Sequence, residues 1–486
     1  MSAEPNSSAA RAPIRESLRI AGEKVSRDRV IEVRHPYSGE TIGTVPKATL
    51  ADVKRALRIA RDFHSKLTRH ERYAILMRAG ALVAAKREAL ARLITLESGL
   101  CLKDSLYEVG RASDVLLFAA NQSLIDSSEV FSCDLTAHGK SRKVYTLREP
   151  LLGAITAITP FNHPLNQVIH KVAPSIATNN RVVLKPSEKT PLTAYALADI
   201  LYEAGLPPEM LSVLTGDPAE IADELLTSAD VDLVTFTGGV SIGKYIAATA
   251  VYKRQVLELG GNDPLIVLED ADLEEAASLA ARGSYANSGQ RCTAVKRILV
   301  QESVAERFVE LLVEKTKRVK YGDPFDATMD MGTVIDEPSA QRFEAVVNEA
   351  AAAGAKLLVG NLRRGALYSP TVLDRVTPEM NVVRHETFGP VSPVIRFKTV
   401  DEAIDIANGT AYGLSSSLCT NRLDLITRFI QELHVGTVNV REVPGYRLEI
   451  TPFGGIKDSG LGYKEGVLEA MKSFCNTKTY SLPWTS

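Results

Sequence analysis

From Leu151 onward the sequence alternates short, continuous apolar runs with segments of helical periodicity, and this alternation limits the fold more than any other feature. The runs are LLGAITAITP, RVVLKP, LSVLTG, VDLVTFTGG and RQVLELGG; between them lie PLNQVIHKVAPSIAT, TPLTAYALADILYEAG and two shorter helical pieces. A strand wetted on one face alternates apolar with polar residues, whereas a strand apolar throughout must be covered on both faces. Strands of that kind separated by helices predict a parallel sheet sandwiched between helices. A second α/β series begins near Asn262, with strands DPLIVLED, KRILVQ, VSPVIRF and GTVNV and helices SVAERFVELLVEKTKRVK and NRLDLITRFIQEL. At 486 residues the chain has room for two to four domains.

The flanks read differently. Thr49 and Asp52 make a capping box, and Val53, Ala56, Leu57, Ala60 and Phe63 follow at helical spacing, opening a helical region that runs to about Ser123. SRKVYTLREP, preceded by Gly139, reads as an exposed strand or hairpin. The C-terminal SFCNTKTYSLPWTS, with the only tryptophan, Trp484, reads as a strand that pairs with another subunit. The N-terminal MSAEPNSSAARAPIRES lacks the apolar core of a signal peptide and reads as a disordered tail. No apolar run is long enough to span a bilayer. With 57 basic against 59 acidic residues, charge gives no reason to expect nucleic acid or a membrane as partner. Five widely spaced cysteines without a Cys-x-x-Cys pair suggest a reducing cytoplasm and no metal site.

Several segments put chemically capable side chains at strand ends. Glu258 closes RQVLELGG just before Gly260 and Gly261; a carboxylate there can act as a general base or cap a turn. In VTFTGGVSIGKYI, Gly238, Gly239 and Gly243 follow a strand and open a helix whose N–H groups can hold a phosphate, although a plain strand–turn–helix junction has the same glycines. VVLKPSEKTP ends a strand with Lys185, Ser187 and Glu188, placed to grip ribose hydroxyls or phosphate, or to stand as solvated charges. TPFNHPLN sets Asn162 and His163 between two prolines, and an amide there can donate to an oxyanion. Cys292 lies in the small, polar SGQRCTAVKR. A buried structural cysteine fits such a place; Arg291 and Arg297 favour a thiolate and hence a nucleophile.

In this order, these segments resemble the NAD(P)-dependent aldehyde dehydrogenase superfamily from about Pro36 to Tyr480. TPFNHPLN is similar to its Trp/Phe-Asn-x-Pro element, LKPSEKTP to Lys-Pro-x-Glu-x-Thr-Pro, and FTGGVSIG to Phe-Thr-Gly-Ser-x-x-x-Gly. LELGGNDP resembles Glu-Leu-Gly-Gly-x-x-Pro, and GQRCTA resembles Gly-Gln-x-Cys; ETFGPV and PFGGIKDSGLG complete the set. The resemblance implies an α/β fold with a Rossmann-like cofactor domain over residues 1–127 and 149–260 and an α/β catalytic domain over 261–469. It also implies a small β oligomerisation region over 128–148 and 470–486, and dimers or dimers of dimers.

The same resemblance implies roles. Cys292 would attack the aldehyde to form a thiohemiacetal, Asn162 and the Cys292 backbone N–H would hold the oxyanion, and Glu258 would activate the water that hydrolyses the resulting thioester. Lys185 and Glu188 would hold the adenosine ribose, Gly238 and Gly239 would admit the pyrophosphate, Glu386 would bind the nicotinamide ribose, and Phe388 would pack beside the ring. Ser187, Gly216, Phe236, Ile242 and Leu259 complete the implied cofactor set. Two departures stand out: Gly239 replaces the family's usual Ser, and His163 stands where many relatives have Phe or Tyr. Glu188 favours NAD, since a carboxylate accepts from ribose hydroxyls and repels a 2′-phosphate. Glu258 favours a free-acid product over acyl-CoA. Arg111, His163, Arg291, Thr293 and Arg447 match substrate-tunnel positions, with Arg441 a further candidate. An arginine fork suits phosphonate, phosphate, sulfonate or carboxylate, so a short anionic aldehyde is expected. The phosphonoacetaldehyde dehydrogenases fit best. The non-phosphorylating glyceraldehyde-3-phosphate, sulfoacetaldehyde, succinic semialdehyde and lactaldehyde enzymes are the alternatives, with an inactive structural relative as the alternative of another class.

Overall fold

The computed structural model describes residues 13–462 and 465–484. Two seven-stranded sheets carry the chain. The first is ordered Arg254–Glu258, Val231–Thr237, Ala154–Ile158, Val182–Lys185 and Leu211–Val213, all parallel, with an antiparallel hairpin Leu18–Ile20/Glu23–Val25 added at the edge. Its strands serve two cores at once. Ile155, Ala157, Val182, Leu184 and Leu233 pack with the helices Arg69–Ala85, Leu102–Ser123, Asn166–Ala177 and Leu192–Glu203, while Ala154, Val183, Val234 and Phe236 pack with Leu50–Asp62, Pro218–Thr227 and Val240–Thr249. Burial on both faces is why these strands carry apolar residues on both faces rather than alternating with polar ones.

The second sheet is ordered Lys356–Val359, Thr371–Asp374, Val391–Phe397, Val295–Gln301, Asp263–Val267, Ser415–Cys419 and Thr437–Val440. It is parallel except for Lys356–Val359. Only four residues separate its strand Asp263–Val267 from Glu258, the last residue of the first sheet's edge strand. The C-terminal edge of one sheet therefore meets the N-terminal edge of the other, and the side chains at that meeting form one cleft. Near the C-terminus the chain returns to the first core, where Val467, Ala470 and Phe474 are buried.

At the N-terminus one expectation changes; at the C-terminus the strand is placed at the edge of a small sheet of its own chain. Residues 1–12 of the stretch expected to be a tail lie outside the described residues, but Ile14–Arg15 within it forms a strand parallel to Thr41–Pro46 because Ile14 packs against the first core. The C-terminal strand Cys475–Pro483 pairs with its own chain, antiparallel along the whole of Arg142–Pro150, with Val130–Ser132 beyond. Tyr480 stacks on Tyr145 at 5.2 Å and Lys143 lies 4.0 Å over Trp484. Among the described residues no helix is long and apolar enough to cross a membrane.

The helix Val240–Thr249 sits directly on the segment that follows Glu258. A Cβ at Gly243 would lie 2.3 Å from Leu259 Cδ2, whereas one at Gly239 would meet nothing within 4 Å. Gly243→Ala should therefore cost about 1–3 kcal/mol through overpacking. Gly239→Ala meets no neighbour and should cost only the loss of a better N-cap, about 0.5–1 kcal/mol; urea unfolding of the two variants checks both values.

Candidate active site

A cleft of about 190 Å³ between the sheet edges is lined by Asn162, Gln167, Thr237, Gly238, Gly239, Glu258, Leu259, Cys292, Glu386 and Phe388, among others. Eight of these are residues that the sequence motifs single out. Glu258 is 3% exposed at the end of its strand. Asn162 lies between the strand Ala154–Ile158 and the helix Asn166–Ala177, and Cys292 lies between a short 3-10 turn and the strand Val295–Gln301. The loops bearing Asn162 and Cys292 are tied together: Asn162 Nδ2 donates to Gln290 O at 2.8 Å and Asn287 Nδ2 donates to Asn162 O at 3.0 Å. Asn287, Ser288 and Gly289 all have positive φ. Three left-handed residues in a row before a reactive side chain are a strained turn of the kind that clusters at functional sites.

Burial pushes the Cys292 thiol up to about 11; Lys296 and Arg447 pull it down, while Glu258 and Asp263 add to the rise. The cations next to Cys292 in sequence have other partners. Arg291 Nη2 donates to Gly283 O at 2.9 Å, and burial holds its guanidinium below its ordinary value, with Asp104 opposing that shift. Arg297 donates to Asn262 O, Ile406 O and Ala407 O and so caps the end of the helix Val400–Asn408.

Lys185 ends its strand paired with Glu188, which stays 31% exposed at the lip. Ser187 Oγ accepts from Lys189 N at 3.2 Å. Gly239 is the N-cap of the helix Val240–Thr249, Ile242 projects from that helix into solvent, and Phe236 fills the space under Gly238. Open space over Gly239 and the unfilled first turn of this helix suit a pyrophosphate. Glu386 Oε1 accepts from Lys296 Nζ at 2.7 Å and from Gly261 N at 3.3 Å, and Phe388 meets Phe161 edge-on at 5.9 Å. Gly216 is away from the cleft, packed on Ile221 and Ala48.

Of the substrate candidates, Arg111 is ion-paired with Glu449. Arg447 lies 3.9 Å over the Phe453 ring with Nε 3.9 Å from Glu449 Oε2. Among the described residues, the buried Arg447 Nη1 and Arg291 Nε find no hydrogen-bond partner. His163 Nδ1 is 3.4 Å from Glu108 Oε2, whose other oxygen accepts from Leu165 N and Asn166 N. Thr293 is buried against Gly445. Arg441 is excluded from the site: it pairs on the surface with Glu275.

The sequence model of the Aldehyde dehydrogenase family matches residues 23–480. This chain belongs to the aldehyde dehydrogenase family. It is an oxidoreductase acting on aldehydes. It is 39% identical over 450 residues, 92% of this chain and 94% of the relative, to a 3-sulfolactaldehyde dehydrogenase of Priestia aryabhattai. Among solved structures, aldehyde dehydrogenase 21 of Physcomitrella patens in complex with the reaction product succinate superposes with a TM-score of 0.93 at 34% identity, covering 97% of this chain and 99% of that one. The NADP-dependent glyceraldehyde-3-phosphate dehydrogenase of Bacillus halodurans, complexed with NADP, also gives 0.93, at 36% identity over 97% and 100%.

Four residues at or around the cleft are not singled out by the sequence motifs: Gln167 and Thr237 in its lining, Lys296 hydrogen-bonded to Cys292 O and Glu386, and Glu449. Glu449 looks like an ordinary loop carboxylate in PGYRLEITPFGG, yet it is 4% exposed and shared by Arg111, Arg447 and His170, whose Nε2 is 2.6 Å away. Burial alone would raise its carboxyl; His170, Arg111 and Arg447 together hold it well below the usual range. A depressed carboxyl stabilises the fold above its unfolded value, and that stability is lost as pH falls through the folded one. Glu449→Gln should therefore cost about 3–5 kcal/mol at neutral pH, and chemical unfolding should show the gap closing below about pH 4.

Proposed function

We propose that this chain oxidises a short aldehyde with an anionic head group to the free acid, with NAD as the preferred cofactor and phosphonoacetaldehyde, giving phosphonoacetate, as the first candidate substrate. Cys292 gives its thiol proton to Glu258 in the same cleft, from which it passes to solvent, and the sulfur attacks the carbonyl carbon; Asn162, whose amide has two N–H donors, gives one to Gln290 O and the other to the developing oxyanion together with the Cys292 N–H. Lys185, Glu188, the glycine-opened helix and Glu386 would hold the cofactor, which would supply the hydride acceptor needed for the thiohemiacetal on Cys292 to become a thioester. Glu258, in the same cleft as the sulfur, then takes a proton from the water that releases the acid. Glu188 at the lip supports NAD, because its carboxylate accepts ribose hydroxyls and repels a 2′-phosphate. Five free thiols fit a reducing cytoplasm, and the edge strand Cys475–Pro483 fits a homodimer or homotetramer.

The observation that carries the anionic head group is the pair of buried guanidinium N–H groups without a partner, Arg447 Nη1 and Arg291 Nε. Burying an N–H unpaired is costly; both arginines are close enough to Cys292 to interact with it electrostatically, and an anionic group bound beside the thiol would supply the missing partner. Three of the relatives are consistent with this: one acts on 3-sulfolactaldehyde, one on glyceraldehyde-3-phosphate, and one was captured with succinate as the reaction product. NADH formation from phosphonoacetaldehyde, sulfoacetaldehyde, succinic semialdehyde, glyceraldehyde-3-phosphate and propanal tests the reading. At least one anionic aldehyde should exceed propanal in kcat/KM by about 100-fold, the scale of a desolvated charge pair. Arg447→Ala should lose far more activity on the anionic aldehyde than on propanal, removing most of that advantage. Equal kcat/KM across the panel would contradict the anion site.

A further inference from the structure

Lys296 is set apart by the way two strands pair. Between Asp263–Val267 and Val295–Gln301 the parallel register runs Asp263 to Val295 and then Pro264 to Arg297, so Lys296 has no residue opposite it. An extra residue of this kind bends a strand and re-aims a side chain. The Lys296 side chain is 2% exposed. Its ammonium donates to Gly261 O at 2.8 Å, Cys292 O at 2.6 Å and Glu386 Oε1 at 2.7 Å. Three N–H groups are all that an ammonium has, and each has one acceptor. The Phe388 ring centroid is 5.7 Å away. Glu386 is placed by the same contact: Oε1 is on Lys296 and Gly261 N, while Oε2 lies over Gly260, where a Cβ would come within 2.1 Å of it.

We propose that Lys296 is a positioning residue for the oxidation step: one ammonium fixes the nucleophile's backbone relative to Glu386, and so relative to the nicotinamide ribose, and sets a positive charge beside the thiol. The proposal rests on the reading of Cys292 as nucleophile and Glu386 as ribose ligand. Two of the three acceptors belong to those residues, which a lysine serving only to join loops would not require. The charged groups acting on Cys292 are Lys296, Arg447, Glu258 and Asp263, with Arg291 from its own turn. Among them Lys296 is the largest influence opposing burial.

The test uses the full-length enzyme, iodoacetamide as probe of the thiol, and NAD-dependent aldehyde oxidation as the activity lost. In Lys296→Met the alkylation rate, at any pH below the thiol midpoint, should fall about tenfold, equivalent to one unit of thiol acidity. The KM for NAD should rise about tenfold, the scale of a lost charge-assisted hydrogen bond. Lys296→Arg keeps the charge but not the three-way geometry, so it should recover the alkylation rate and leave KM raised. A purely structural lysine would not separate those readouts. A folded Lys296→Met with wild-type alkylation rate and wild-type KM for NAD overturns the proposal. If Lys296→Met does not fold, Lys296→Arg decides: a raised KM with normal alkylation supports the proposal, and a wild-type KM overturns it. Should alkylation leave wild-type activity intact, the reading of Cys292 itself fails, and the proposal with it.

Discussion

Three hydrogen bonds from one buried ammonium hold together three segments just ahead of neighbouring strands of one sheet. Gly261 lies on the four-residue link between the two sheets, Cys292 on the turn entering the second sheet, and Glu386 on the loop before Val391–Phe397. The rest of the cleft follows from that tie. Leu259 N reaches Ser459 O, Gly238 N reaches Glu258 O, and Asn262 Nδ2 reaches Val383 O, so each turn around the site is anchored to another turn. A site made from sheet edges and loops needs such cross-links, because its geometry is not set by strand pairing alone.

Charge in this site is buried, and burial decides which groups are ready to act. The thiol of Cys292 is raised, not lowered, so in the apo protein its proton is held in place by desolvation against the pull of Lys296 and Arg447. The Glu449 carboxylate is held ionised by three neighbours, and it in turn fixes Arg111 and positions Arg447. Buried ion pairs of this type are weak stabilisers relative to apolar packing but costly to break from one side. They suit a pocket that must keep fixed cations in place without a ligand.

Much of this architecture was legible in the sequence, for physical reasons that can be named. Strands such as Val182–Lys185 and Val231–Thr237 carry apolar residues on both faces because each feeds two cores, and the Thr49–Asp52 capping box forms as written. Glu258, Asn162, Cys292 and Glu386 sit at strand ends or turns and meet in one cleft. What stayed hidden depends on contacts far apart in the chain. The strand Ser415–Cys419 has three serines, yet it is central, because their hydroxyls bond to Asp263, Thr437 O and Glu442 O. Lys296 is re-aimed by a bulge that no periodicity shows, and Arg291, adjacent to Cys292 in sequence, spends its Nη2 on Gly283 O. Glu449 acquires its partners from two helices that begin well over two hundred residues earlier.

The central claim is that Cys292 and Glu258 divide one reaction between them, the sulfur taking the acyl group and the carboxylate releasing it. Acid-quenched peptide mass spectrometry of Glu258→Gln during aldehyde oxidation tests this most directly. The account predicts an acyl adduct on the peptide containing Cys292, formed in about one equivalent with NADH and persisting after it. An NADH yield that continues at the wild-type rate, with no adduct on Cys292, would contradict it.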